Sequence, residues 1–333
     1  MWVPQDPRDE NVYYVASYSQ GIFRIKGREQ VDQYTSDNSP ITSLYSYRIA
    51  YIGFDAFDNL WVIQQYPYVR NQNIHTISYE DLTSGAVTKE MWRTFDGDDY
   101  IGPSSVGCAL KQSKMMAFAK GFWSNVIVFV NQNNTQTPND DKVSFITSYV
   151  DQDNKTLAFY HIGALCEDKK GRLWVGTDKG VFEITDPTKI TSDVAQVNHL
   201  KVPRNDGTGL ADYLLDALTV SSIAVDSANR KWIGTTTAGV YLVSEDGDQI
   251  IEHYDTSNSI LPSNTVFSIA CDPNSSSVFF ATSAGVVEYN STAAPASENL
   301  DDVYAYPTPV RPDYSGWITV TGLMDNTLVK IAD

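Results

Sequence analysis

The stretch Leu165-Cys166-Glu167-Asp168-Lys169-Lys170-Gly171-Arg172-Leu173-Trp174-Val175-Gly176-Thr177-Asp178-Lys179-Gly180-Val181-Phe182-Glu183-Ile184 decides the fold, because it recurs. Its pattern returns as Ile223, Asp226, Asn229, Trp232, Gly234, Thr235, Gly239 and Val240. In both copies the Asp stands six residues before the Trp and the turn residue three before it. Ile52, Asp55, Asp58, Trp61 and Val62 keep the same offsets, and a looser copy runs from Ile269 through Asp272 and Phe279 to Gly285. Degenerate copies surround Tyr14 and residues 106–129. The steps from Tyr14 to Trp61, Trp174 to Trp232 and Trp232 to Phe279 are 47, 58 and 47 residues. Self-similarity at such a period, with several short strands per unit, marks propeller blades.

Each element of the repeat has a physical reason. The apolar residue nine before the Trp is expected on the innermost strand. Asp168 and Asp226 should bond backbone amides in a tight turn, where Gly171 or Asn229 accepts a positive φ. Trp61, Trp174 and Trp232 should bury their rings between adjacent blades, each worth roughly 2–3 kcal/mol by area. Gly176 and Gly234 should let a neighbouring backbone approach. Thr177 and Thr235, followed by Gly180 and Gly239, should turn the chain into the third strand, as should Gly285 in the looser copy.

Composition agrees. Twenty Tyr, thirteen Phe and seven Trp accompany many Thr, Val, Ser and Asn, which favour strands and turns. No long stretch has a 3.6-residue apolar period, so the chain reads as all-β. Twenty-four basic and 41 acidic side chains leave a net charge of −17. That excess argues against nucleic acid and against an anionic membrane surface. No apolar run is long enough for a transmembrane helix, and no signal peptide is visible. Cys108, Cys166 and Cys271 are odd in number and far apart, so no disulfide framework is implied.

Residues 1–290 therefore read as a propeller of six to seven four-stranded blades, and 291–302 as a linker. Residues 303–333 read as the start of a truncated β-sandwich. There a proline-rich segment, Tyr306-Pro307-Thr308-Pro309-Val310, precedes alternating Ile318-Thr319-Val320-Thr321. Because the sequence stops within a strand pattern, the chain is expected to be a piece of a longer protein.

The Trp174-Val175-Gly176-Thr177 and Trp232-Ile233-Gly234-Thr235 motifs resemble the two-component regulator propeller repeat. So does the linker Ser257-Asn258-Ser259-Ile260-Leu261-Pro262-Ser263-Asn264. The resemblance is strong over 160–290 and weak over 11–130. It implies an extracytoplasmic propeller, at the periplasm or surface of a Gram-negative bacterium, chiefly a Bacteroidetes. The tail resembles the carboxy-terminal β-sandwiches of type IX secretion, with Thr308 departing from the usual Asn. Propeller and tail together are similar to the PorZ-like family of surface propellers. That likeness implies other surface or secretion-complex proteins, or a cell-surface glycan, as partners.

Chemistry-bearing clusters are sparse. His75, His161, His199 and His253 lack a second His or Cys at metal-ligand spacing and are expected in loops or at the surface. Asp96-Gly97-Asp98-Asp99 and Asp151-Gln152-Asp153-Asn154 begin like calcium loops. They fail at Tyr100 and Ile101, and at Lys155 and Thr156. No catalytic residue, metal or cofactor is expected. Aromatic and Arg residues on one rim are the better hint. In a propeller, the loops entering inner strands share a face with the turns between second and third strands. The first set holds Tyr45, Tyr47, Arg48, Tyr100, Tyr160 and His161; the second holds Tyr66, Tyr68, Arg70, Phe122 and Trp123. Such residues suit glycan stacking or a protein hot spot. The expectation is a non-enzymatic binding propeller of the PorZ-like kind. The alternatives are the sensor propeller of a hybrid two-component histidine kinase and a polysaccharide-active enzyme.

Overall fold

The computed structural model describes residues 3–42, 48–65, 72–96, 106–121, 124–131, 133, 142–297, 299–316, 318–324 and 327–330. Most of their strands pair into six antiparallel sheets of three or four strands that follow one another along the chain as the blades of a propeller, and three two-stranded pairs lie outside these. Four sheets have four strands. The second runs from Ile49–Phe54 at the inner edge through Leu60–Gln64 and Gln72–Ile77 to Trp92–Asp96. The third comprises Val106–Leu110, Met115–Ala119, Ile127–Asn131 and Lys142–Ile146. The fourth comprises Ile162–Glu167, Leu173–Thr177, Gly180–Ile184 and Asn198–His199. The fifth comprises Val220–Val225, Lys231–Thr235, Val240–Val243 and Ile250–Tyr254.

Among the described residues the first and sixth sheets have three strands, against the expectation of four in every blade. In the first, Val12–Ser17, Gly21–Lys26 and Glu29–Tyr34 take the second, third and outer places. Among the described residues its inner place holds a bridge from Gln5 to Tyr13, made by the Tyr14 N–H to the Pro4 carbonyl and the Asp6 N–H to the Val12 carbonyl. In the sixth, Val266–Cys271, Ser277–Thr282 and Gly285–Asn290 take the inner three places. Beyond it, Tyr304–Tyr306 pairs antiparallel with Thr319–Thr321.

The core is divided among the junctions. Each of five apolar clusters lies between consecutive sheets. Trp61 packs toward the third sheet, Trp174 toward the fifth and Trp232 toward the sixth, all at 0% exposure. The third sheet departs from the pattern. Ala117 stands at the equivalent place, and Tyr149, Phe159 and Phe182 fill the volume with rings 5.1–5.6 Å apart. On the sixth sheet the equivalent residue, Phe279, is 39% exposed and Val286 beside it 69%.

Two glycine roles are resolved. A Cβ on Gly176 or Gly234 would overlap the side chain of Val220 or Val266 on the next sheet. The space therefore serves a side chain rather than the backbone expected there. The close backbone approach occurs instead at Gly163, whose missing Cβ makes room for the Val220 carbonyl. The turn residue of the repeat is left-handed in the second to fifth sheets, at φ 66° for Asp58, 55° for Lys114, 78° for Gly171 and 58° for Asn229.

Two histidines depart from their expected surface placement. His75 lies on an interior strand at 1% exposure, and burial holds its pKa down at about 3. His199 is also buried, stacked on Tyr213 with ring centroids 3.8 Å apart. The three cysteines are free and half-buried. No helix among the described residues is long and apolar enough to cross a membrane.

Candidate functional site

One face of the ring is built by a recurring bond. In the second, fourth, fifth and sixth sheets the residue before the inner strand presents its carbonyl to the amide of the turn between the second and third strands. Gln65 donates to Arg48 (2.9 Å), Asp178 to His161 (3.2 Å), Thr236 to Thr219 and Ser283 to Thr265 (3.0 Å each). This is the shared face inferred from the repeat, and it carries Arg48, Tyr160 and His161.

The Asp178 carboxylate accepts the amides of Tyr160 (2.9 Å) and His161 (3.0 Å), fixing that loop. Tyr160 is thereby held 71% exposed. His161 is half-buried, and burial lowers its pKa, favouring the neutral ring. Arg48 donates its amide to the Tyr18 carbonyl and places its guanidinium 5.3 Å from the Tyr18 ring. Tyr45, Tyr47, Tyr66, Tyr68, Arg70, Tyr100, Phe122 and Trp123 lie outside the described residues. A cation, two aromatics and an imidazole on one face suit stacking and hydrogen bonding to a partner.

The opposite face carries the Asp turns, and these are locks. Asp168 Oδ1 accepts the amides of Lys170 and Arg172, while Oδ2 accepts the Trp174 ring N–H at 3.2 Å. Asp55 does the same, with Trp61 at 2.7 Å. In the first sheet a longer turn replaces indole with phenol, and the Tyr14 hydroxyl donates to Asp6 Oδ2 at 3.2 Å. In the fifth, Arg230 takes Asp226 Oδ2 at 2.8 Å, and the Trp232 ring N–H has no acceptor.

Neighbouring turns complete one another. The third sheet has Lys111 where Asp stands elsewhere. Glu167 of the fourth sheet caps that turn from outside, accepting the amides of Lys111 (2.6 Å) and Gln112 (3.1 Å). Asn229 of the fifth accepts the Lys169 amide, and Arg8 pairs with Asp58 across the first junction.

The densest lock joins the fourth and fifth sheets. Lys231 is 0% exposed, and its Nζ donates to Asp168 Oδ2 (3.0 Å), Asn229 O (2.8 Å) and Glu245 O (2.6 Å). It lies 4.5 Å from the Trp174 ring centroid. Burial pushes the Asp168 pKa up, but bonds from Arg172 and Lys231 outweigh it and hold the carboxyl at about 2. Burial also lowers the Lys231 pKa, which Asp168 partly offsets. Five donors on one carboxylate leave no valence for a ligand, so the arrangement is structural.

Sequence reasoning missed one copy of this turn. Asp151-Gln152-Asp153-Asn154-Lys155 closes it with the same bonds, but Leu157 stands where Trp is expected. The Asp151 Oδ2 atom has no donor, although the residue is only 2% exposed. The spacing of Asp151 to Leu157 was the available signal.

Residues 156–179 match the family model of the two component regulator propeller. No curated protein matches the chain in sequence. Among solved structures the chain is similar to PorZ of Porphyromonas gingivalis, described as an essential bacterial surface component of the type-IX secretion system. The TM-score is 0.75 and the identity 24%, over 97% of this chain and 43% of PorZ. It is also similar to an extracellular domain assigned to a hybrid two component system of B. thetaiotaomicron. There the TM-score is 0.52 and the identity 15%, over 91% of this chain and 33% of that one. An auxiliary nutrient binding protein from Bacteroides thetaiotaomicron gives a TM-score of 0.50 at 9% identity, over 86% and 68% of the two chains. The chain thus has the fold of these propellers and spans less than half the length of PorZ.

Proposed function

We propose that this chain is a non-catalytic, extracytoplasmic binding propeller, a PorZ-like component of type IX secretion and surface attachment. The observation that carries the reading is the extent of the PorZ likeness. It takes in 97% of the chain, and the roughly ten residues left over are fewer than the tail beyond 302 contains. Most of the tail therefore falls within the match. The partner would be another surface or secretion protein, or a surface glycan, held at the loop face by Arg48, Tyr160 and the residues beside them. With a net charge of −17, an anionic glycan would depend on the local guanidinium at Arg48.

The test replaces the matching part of PorZ with this chain and measures cargo attached at the cell surface. Restored attachment is expected, with a loss of about tenfold or more when Arg48→Ala and Tyr160→Ala are combined. A chimera that reaches the surface intact yet attaches no cargo would defeat the reading. Glycan turnover by the purified chain would defeat its non-catalytic part. The regulator repeat at 156–179 favours a second reading, the ligand-sensing propeller of a hybrid two-component system.

A further inference from the structure

We infer that the open edge of the sixth sheet takes an extended segment of another protein as its fourth strand, one in which a Lys or Arg stands between two Val or Ile residues. The inference does not rest on the secretion role and uses none of the loop-face residues invoked for it.

The sixth sheet lacks an outer strand among the described residues. Its third strand, Gly285–Asn290, pairs with Ser277–Thr282 without a register shift, and the Ser291 amide donates to the Ser276 carbonyl (2.8 Å). Bonded pairs alternate along an antiparallel ladder. Gly285, Val287 and Tyr289 therefore bond inward, and Val286, Glu288 and Asn290 turn their N–H and C=O groups to the edge. In the fifth sheet the matching residues, Val240 and Leu242, lie opposite Tyr254 and Glu252 of the outer strand. In the sixth, the three edge residues make no backbone bond on that side among the described residues. Such a row of unpaired groups is a template for strand addition.

The side chains beside the edge dictate what an added strand must carry. Val287 and Tyr289 face the fifth sheet with Leu261 and Phe280. Next to them lies a slot of about 30 Å³ that Ile260, itself 80% exposed, also lines. That is about the volume of one water, so the end of a Val or Ile side chain fits and an aromatic ring does not. Glu288 lines the slot too, although its side chain stands with Phe279 on the opposite face, which places the slot along the edge of the strand. On that opposite face Glu288 has no cationic partner among the described residues, and its Oε1 accepts the Ser277 hydroxyl (2.6 Å). Directly opposed residues of paired strands share a face. A residue opposite Glu288 is therefore favoured as Lys or Arg, and its two neighbours, opposite Val287 and Tyr289, as aliphatic. The same rule disfavours a second copy of the chain. Two such edges pairing antiparallel through Val286, Glu288 and Asn290 would set Glu288 against Glu288, in chains that each carry a net charge of −17.

The test adds short blocked peptides with the centres Thr-Val-Lys-Val-Thr, Thr-Val-Glu-Val-Thr and Thr-Val-Pro-Val-Thr to the 333-residue chain. Binding is read by calorimetry, and hydrogen exchange is read at single amides by NMR. In the free chain the amides of Val286, Glu288 and Asn290 should exchange fast and those of Val287 and Tyr289 slowly. The Lys peptide should slow the first three and bind about fivefold or more tighter than the Glu peptide. It should also outbind the Pro peptide, whose centre cannot donate to a ladder. Glu288→Lys changes an exposed side chain and should reverse the preference between the Lys and Glu peptides. Val286→Pro removes one edge donor without touching the inner ladder and should weaken both. No peptide binding, equal binding of the Lys and Pro peptides, a preference unmoved by Glu288→Lys, or slow exchange at the three edge amides of the free chain would each overturn the proposal. Slowing that grows with protein concentration alone would overturn it in favour of a second copy. Peptide binding is read at the sixth sheet and cargo attachment at the loop face, so each reading can fail alone.

Discussion

Replacing Asp168 with Ala should destabilise the protein by about 3–5 kcal/mol, the range for removing one partner of a buried ion pair. The change strands the Lys231 ammonium, which is 0% exposed and would keep only two carbonyl acceptors. It also orphans the Trp174 ring N–H and two turn amides. Chemical denaturation of the variant beside the parent measures the loss. Asp168→Ala combined with Lys231→Met should recover part of it, since an apolar pair carries no stranded charge. A single-variant loss under about 1 kcal/mol would show that the lock contributes no more than a surface pair.

The same lock sets a pH dependence. The folded carboxyl titrates at about 2, below its ordinary 3.8. The group therefore binds its proton more readily when unfolded. Its stabilisation is fully present above about pH 4 and is lost as pH falls toward 2. Asp168→Asn should flatten the stability profile within that window, and an unaltered profile would assign the acid sensitivity elsewhere.

The second large effect is expected at Trp174→Ala, about 3–5 kcal/mol. The ring is 0% exposed and packs with Leu200, Leu214, Val220 and Val243 at the junction with the fifth sheet. Its removal opens a cavity there and takes the π-face away from Lys231. Phe279→Ala is the internal control. It occupies the same place in its repeat but is 39% exposed, so its loss should stay near 1 kcal/mol. Equal losses at the two positions would mean that the ring matters within its own sheet and not at the junction.

Much of this was legible because the repeat writes its contacts at fixed offsets. The six-residue step from Asp168 to Trp174 is both a sequence motif and a hydrogen bond. The left-handed turn could be read from Gly171 and Asn229. Lys114 holds the same backbone with nothing in its side chain to announce it. Lys231 was hidden for another reason: its carboxylate partner lies 63 residues away on the preceding sheet. The Asp151 segment fails the test for a cation loop, which asks only about oxygen ligands. Its identity lay in the two amides that Asp151 Oδ1 accepts, with Leu157 in place of the Trp. Of the rim residues, Arg48, Tyr160 and His161 fall on the inferred face, placed there by strand order alone.

Glu167 bears on how such a chain could be rearranged. Its carboxylate closes a turn in the sheet before its own. The residue at its place in the fifth sheet is Val225, which has no acceptor to offer. Substituting a copy of the fifth sheet for the fourth would take away the carboxylate that accepts the Lys111 amide, and an Asn at the place of Gly171 would replace it only at Gln112, as Asn229 serves Lys169. The blades look like interchangeable modules, but inheritance must preserve the junction between them, so shuffling or duplicating single repeats breaks what the resemblance suggests can be exchanged.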